Sequence, residues 1–290
     1  MKNLSCVALM VLLACATGSA RAAPIKIVAA ENFYGSVAQQ IGGSSVEVVS
    51  VLSNPDQDPH LFETSPAVLR RLQEAQIVIY NGADYDPWMP KLLAATPKPR
   101  RAVIVAAELM HKQAGDNPHL WYDPPTMPAV ARALAAALET ADPHHASDYR
   151  QRLASFLTSL EPIEEKIEML RKKYAGIAVT ASEPVFGYMA AALGLRMHNE
   201  SFQLSVMNNT EPSARDVAGF ETDLKTHRVR VMFYNKQAFD KIVQQLVEIA
   251  RASKIPVVGV TETVPSGMTF QQWIQSELAD TEKALAGPNS

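Results

Sequence analysis

Short apolar, β-branched runs alternate with helical patterns twice along this chain, and one long helical stretch separates the two series. Runs at 25–30, 46–53, 76–80 and 102–107 read as strands, and the segments 33–41, 66–75, 87–95 and 127–139 read as the helices that follow them. A second series has strands at 176–182, 195–199, 229–234 and 256–261, with helices starting near Pro184, Ser213, Phe239 and Thr269. Strands joined through helices pair in parallel, so each series predicts one α/β lobe around a parallel sheet. Between them, residues 144–174 keep Tyr149, Leu153, Phe156, Leu160, Ile163 and Ile167 at helical spacing, with Pro162 as the only breaker. A helix of that length spans roughly 45 Å at about 1.5 Å per residue. It is expected to join the lobes down one side, bent at Pro162, and to permit only a small lobe movement.

In parallel α/β folds the binding groups sit on the loops that leave the carboxyl ends of the strands. Four metal-ligand side chains occupy such places here. His60 lies in Asp58-Pro59-His60-Leu61, after the strand at 46–53 and before a helix that Thr64 or Ser65 caps and Pro66 opens. His119 lies in Asn117-Pro118-His119-Leu120, after the strand at 102–107, again leading into a helix. In both, proline restricts the backbone beside the imidazole, so ligation costs little chain entropy. Glu183 and Glu262 end the strands at 176–182 and 256–261. Two imidazoles and two carboxylates form a donor set that suits a borderline or hard divalent ion: zinc, manganese or iron(II).

Each of these residues also has a plainer reading. A histidine beside proline in a polar loop is often merely exposed, but two equivalent Pro-His-Leu loops argue against coincidence. Glu183 and Glu262 could be helix-start carboxylates favoured by the macrodipole. His144 and His145 look like a metal pair but open a helix and read as solvated, and His111 and His227 read as surface residues. His198, in Met197-His198-Asn199-Glu200, is the rival ligand. Trp121, Tyr122, Phe186 and Tyr188 read as core or cleft wall, and Asn235 as a support for the ligands.

Residues 1–22 have the form of a secretory leader: Lys2, an apolar run too short to cross a bilayer, and Ala20-Arg21-Ala22 before Ala23. Leu12-Leu13-Ala14-Cys15 is the weaker alternative, a lipoprotein site for anchoring at Cys15. Either way the protein is exported, and a periplasmic location is expected. Cys6 and Cys15 are the only cysteines and both lie in the leader, which excludes disulfides and thiolate ligands from a chain cut after Ala22. Loss of Lys2 and Arg21 takes the formal charge from -3 to -5. With no basic patch, nucleic acid is not an expected partner, and a monomer is expected.

Asp58-Pro59-His60 and Asn117-Pro118-His119-Leu120-Trp121 resemble the ligand segments of the metal-binding proteins of zinc and manganese ABC importers, the cluster A-I or ZnuA/PsaA-like family. The resemblance covers essentially all of the chain after the leader. It implies His60 and His119 as the first two ligands, Glu183 before Phe186-Gly187-Tyr188 as the third and Glu262 as the fourth. It also implies a metal site in the interlobe cleft. Two departures bear on the metal: zinc members carry His where this chain has Glu183, and Glu262 stands where the family has Asp.

The expected protein is therefore an α/β binding protein with a leader at 1–22, lobes at 23–142 and 176–290, and a linking helix at 143–175. It captures one divalent ion as cargo and delivers it to a membrane permease. The competing classes are a metal-containing adhesin and a secreted metallohydrolase. No catalytic residue is expected, because the chain lacks H-E-x-x-H and G-x-S-x-G motifs and four protein ligands leave no position for water.

Overall fold

The computed structural model describes residues 23–54, 62–208, 210–238 and 240–287. The leader, Cys15 and His60 lie outside the described residues. The first sheet contains β1 (Ile25–Glu31), β2 (Val46–Leu52), β3 (Ile77–Tyr80) and β4 (Ala102–Val105), all parallel, in the order β2-β1-β3-β4. The second contains β5 (Ala178–Ala181), β6 (Arg196–His198), β7 (Met232–Asn235) and β8 (Val257–Val260), in the order β6-β5-β7-β8. The two sheets thus repeat one topology. In each, the chain direction across the sheet switches beside the first strand, between β1 and β3 and between β5 and β7, which is where open α/β sheets bind ligands.

The helices are α1 (Asn32–Gly42), α2 (Pro66–Glu74), α3 (Trp88–Ala95), α4 (Ala106–Leu109) and α5 (Thr126–Ala141) before the connector. The connector is α6 (Ala146–Tyr174), and α7 (Gly187–Ala192), α8 (Glu200–Met207), α9 (Ala214–Lys225), α10 (Lys241–Ala252) and α11 (Phe270–Ala286) follow it. α6 is one helix with the exposed Pro162 inside it, and it buries Phe156, Leu160, Ile163, Ile167 and Leu170. Residues 143–145 are a separate 3-10 turn, fixed by the contact of His145 Nδ1 with Asp142 Oδ2 at 2.6 Å.

Three expectations need correction. The apolar run 102–107 is not all strand, because Ala106 and Ala107 already belong to α4. Pro118-His119-Leu120 leads into a 3-10 turn, Leu120–Tyr122, rather than directly into a helix. α8 was not expected; it begins after Asn199, which takes a left-handed φ of 60° that asparagine tolerates better than most residues.

One apolar core runs through both lobes, from β1, α1 and α5 across α6 to β5, β7, β8 and α11. Aromatic rings carry it across the boundary: Phe33 stacks on Trp121 at 4.6 Å, Tyr122 meets Phe186 at 5.2 Å and Phe186 stacks on Phe233 at 4.8 Å. Polar bridges reinforce it. Asn32 Nδ2 donates to Val264 O at 2.8 Å and Asn32 Oδ1 accepts from Val264 N at 2.9 Å, and Gln40 pairs with Gln271 from α11. Separating the lobes would expose this shared core to water, so a small movement suits the structure better than a wide one.

Candidate metal centre

Asn235, the last residue of β7, lies between the ends of β5 and β8 because β7 pairs with both strands. Its Nδ2 donates to Glu183 Oε2 at 2.8 Å and to Glu262 Oε1 at 2.6 Å, so one amide holds two carboxylates. Asn235 and Glu262 are essentially inaccessible to solvent and Glu183 is 5% exposed. Gln237 Oε1 fixes the Glu262 backbone by accepting from its N–H at 2.6 Å. The macrodipole reading fails for Glu262. Glu262 starts no helix, and Glu183, at the cap position of the 3-10 turn Pro184–Phe186, makes no side-chain cap bond. Two carboxylates gathered in a dry pocket repel each other, and a cation removes that cost.

His119 reaches the same place from the other lobe. Asn117 Oδ1 accepts from the His119 backbone N–H at 3.1 Å and lies 2.7 Å from Nδ1. An amide oxygen cannot donate, so Nδ1 carries a proton, and Nε2 is the nitrogen left to face a metal. Nε2 is directed at Glu262 Oε2, 3.5 Å away, with both side chains fully buried. Asn117 also ties the lobes together: its Nδ2 donates to Pro184 O at 2.8 Å and its carbonyl accepts from Tyr188 Oη at 2.8 Å. Trp121 and Tyr85 pack edge-on against the imidazole at 5.2 and 6.1 Å. Burial, and then the Glu262 charge, push the Tyr85 hydroxyl well above its ordinary range.

Of the expected ligands, His119 and Glu262 meet across the lobes and Glu183 joins them through Asn235; His60 lies outside the described residues. Among the described residues no group of three or more His, Cys, Asp or Glu side chains is gathered closely enough to hold an ion. His198, the rival, turns its Nδ1 to Asp223 Oδ2 at 2.9 Å on the far edge strand of the second sheet. His111, His144, His145 and His227 are exposed. The sequence reading missed Asn117 as the partner of the imidazole, although Asn-x-His, with the amide two residues ahead of the ring, was its signal.

The pattern of the family described as zinc-uptake complex component A, periplasmic, matches residues 27–284. The chain belongs to this family. Among its relatives, the manganese ABC transporter substrate-binding lipoprotein PsaA of Streptococcus mitis is 22% identical, with 96% of this chain and 95% of that protein covered. The high-affinity zinc uptake system protein ZnuA of Bacillus subtilis is 22% identical over 68% of this chain and 67% of its own. The solved periplasmic zinc-binding protein TroA of Treponema pallidum has a TM-score of 0.77 at 17% identity, covering 91% of this chain and all of that one. That likeness extends the two-lobe fold of the zinc-uptake family to this chain.

Proposed function

We propose that this protein captures one divalent transition ion outside the cytoplasm and delivers it to the membrane permease of an ABC importer, with His60, His119, Glu183 and Glu262 as ligands. The observation that carries the reading is the contact between His119 Nε2 and Glu262 Oε2, an imidazole and a carboxylate brought together from separate lobes, fully buried and each fixed from behind. Membership of a family of transport proteins supports a carrier rather than an enzyme. Its relatives include both a manganese and a zinc carrier, and the mixed nitrogen and oxygen donor set suits either ion as cargo, with iron(II) next.

The finer points belong to the same proposal. Residues 1–22 direct export and are removed, the lobes are 23–142 and 176–290 with the linker at 143–175, and the carrier acts as a monomer without nucleic acid. Because His119, Glu183 and Glu262 are buried, capture requires a limited opening at the loops rather than parting of the shared core. The test is zinc titration of His119→Ala and His60→Ala against His144→Ala combined with His145→Ala. Each single change abolishes tight binding and leaves a cooperative thermal transition, whereas the double change alters neither. Tight binding by His119→Ala would remove the reading.

A further inference from the structure

Glu31 is the N-terminal lobe's counterpart of Glu183. It ends β1, the strand beside the first topological switch, as Glu183 follows β5 beside the second. It is completely buried, and no other residue among those described donates a hydrogen bond to either carboxyl oxygen; only its own backbone N–H favours the ionised form. The side chain beside it is another acid, Asp86, itself 1% exposed. Asp86 has committed both oxygens: Oδ2 accepts from Asn81 N–H at 2.7 Å and Oδ1 from Gly82 N–H at 2.8 Å. Two ionised carboxylates in contact in a dry site repel, so the contact becomes a hydrogen bond when one of them carries a proton. Asp86, held by two backbone donors, is the better anion, which leaves the proton on Glu31.

This pair sits under the bed on which His119 rests. Gly82, Ala83 and Asp84 follow one another in left-handed conformation, with φ of 77°, 50° and 62°, a run that side chains resist and that the Asp86 carboxylate braces. From the start of that turn, Asn81 Nδ2 donates to Pro118 O at 2.8 Å, the carbonyl next to His119, while Asn81 Oδ1 accepts from Tyr34 Oη at 2.8 Å. From its far end, Tyr85 packs against the His119 ring. We propose that Glu31 and Asp86 hold one proton between them as a hydrogen bond and, through the 81–86 turn, act as positioning residues for His119 in metal capture.

The groups facing the pair agree with this. Burial pushes Glu31 well above the usual carboxylate range, with the Asp86 charge adding to it. Asp86 rises to about 6, burial outweighing the two backbone donors. Tyr34 from α1 and Tyr85 from the turn are both pushed up, by burial first and then by neighbouring carboxylates, so they stay neutral; Glu262 acts on the pair's neighbourhood from beyond Tyr85. No lysine, arginine or histidine among the described residues makes an ion pair or hydrogen bond with Glu31 or Asp86 that would neutralise them instead.

The inference rests on His119 being a ligand, and the experiment separates the two ideas. Infrared spectra of the metal-free protein at pH 8.5, where exposed carboxyl groups are ionised, are expected to contain the C=O stretch of a protonated acid, lost in Glu31→Gln. Zinc titration is expected to show at least a tenfold loss of affinity in Glu31→Leu and Asp86→Asn, and recovery to within threefold of wild type in Glu31→Gln, whose amide N–H replaces the shared proton. Absence of the acid band in the wild type, or its survival in Glu31→Gln, overturns the proposal even where a titration variant does not fold. So does equal loss in Glu31→Gln and Glu31→Leu. Tight zinc binding by His119→Ala, with the band result unchanged, overturns the ligand assignment instead.

Discussion

His119 shows how much a single side chain's role depends on what stands behind it. Its Nδ1 is taken by Asn117, which also bonds Pro184 of the other lobe, so this asparagine orients a proposed ligand and sets the approach of the Glu183 loop. Partners of this kind typically alter metal affinity by 10–100-fold when removed. Asn117→Ala is therefore expected to weaken zinc binding by about that range while the stoichiometry stays at one ion per chain, as a direct titration would measure. As a proposed ligand, Glu183 is the residue on which metal choice is expected to turn. A carboxylate hardens the site and can bind through one or both oxygens, which lets the shell expand. Zinc should still bind more tightly than manganese in the wild type, following intrinsic affinity, and Glu183→His is expected to widen that margin in competition titrations at fixed pH. An unchanged ratio would remove Glu183 from the ligand set. The histidines were legible because proline and a repeated Pro-His-Leu frame them. Asn235 was legible only as a residue at a strand end, since its grip on two carboxylates from other strands depends on sheet order, which no local pattern carries.

α11 adds another buried acid behind the site. Glu277 Oε1 accepts from Trp273 Nε1 at 2.9 Å and from Thr261 N–H at 3.2 Å, next to Glu262. Tyr122 Oη lies 2.7 Å from Thr261 O and 2.5 Å from Glu277 Oε2. The hydroxyl has one proton for those two acceptors, so the network closes when Glu277 carries a proton on Oε2 and donates to the tyrosine, which donates to Thr261. Burial accordingly raises Glu277 from its ordinary value of 4.5 to about 7. The folded state then binds more protons than the unfolded state between those values. Stability from this group is fully present below about pH 4.5 and is lost as pH rises to about 7, a change of up to about 3 kcal/mol. Glutamine reproduces the protonated acid, so Glu277→Gln is expected to raise the melting temperature at pH 8 and to leave it nearly unchanged at pH 5. Equal effects at both pH values would show that Glu277 does not titrate between them. At this level the sequence read well where periodicity was long, as in α6, and poorly at short boundaries. Ala106 and Ala107 suit strand and helix alike, and the eight residues of α8 are too few to set a period.

Across the molecule, two sheets of one topology face each other over a common core, and their switch points bring β1, β3, β5 and β7 ends towards one region. The lobe count, the parallel sheets and the helical connector follow from alternation alone, which is why they were visible in the sequence. The shared core was not visible, because the same apolar residues would serve two separate cores equally well; Phe33, Trp121, Phe186 and Trp273 close the gap only once the lobes are in place. A joint core limits the opening that admits the ion, and the proposed ligands, drawn from both lobes, would make bound metal a cross-lobe tie. The most direct measurement is an anomalous difference map from crystals of the zinc-loaded protein, collected at the zinc absorption edge. The account predicts one strong peak per chain, within coordination distance of His119 and Glu262 and shared with His60 and Glu183; a peak at His144 and His145 or beside His198, with none at His119, would contradict it.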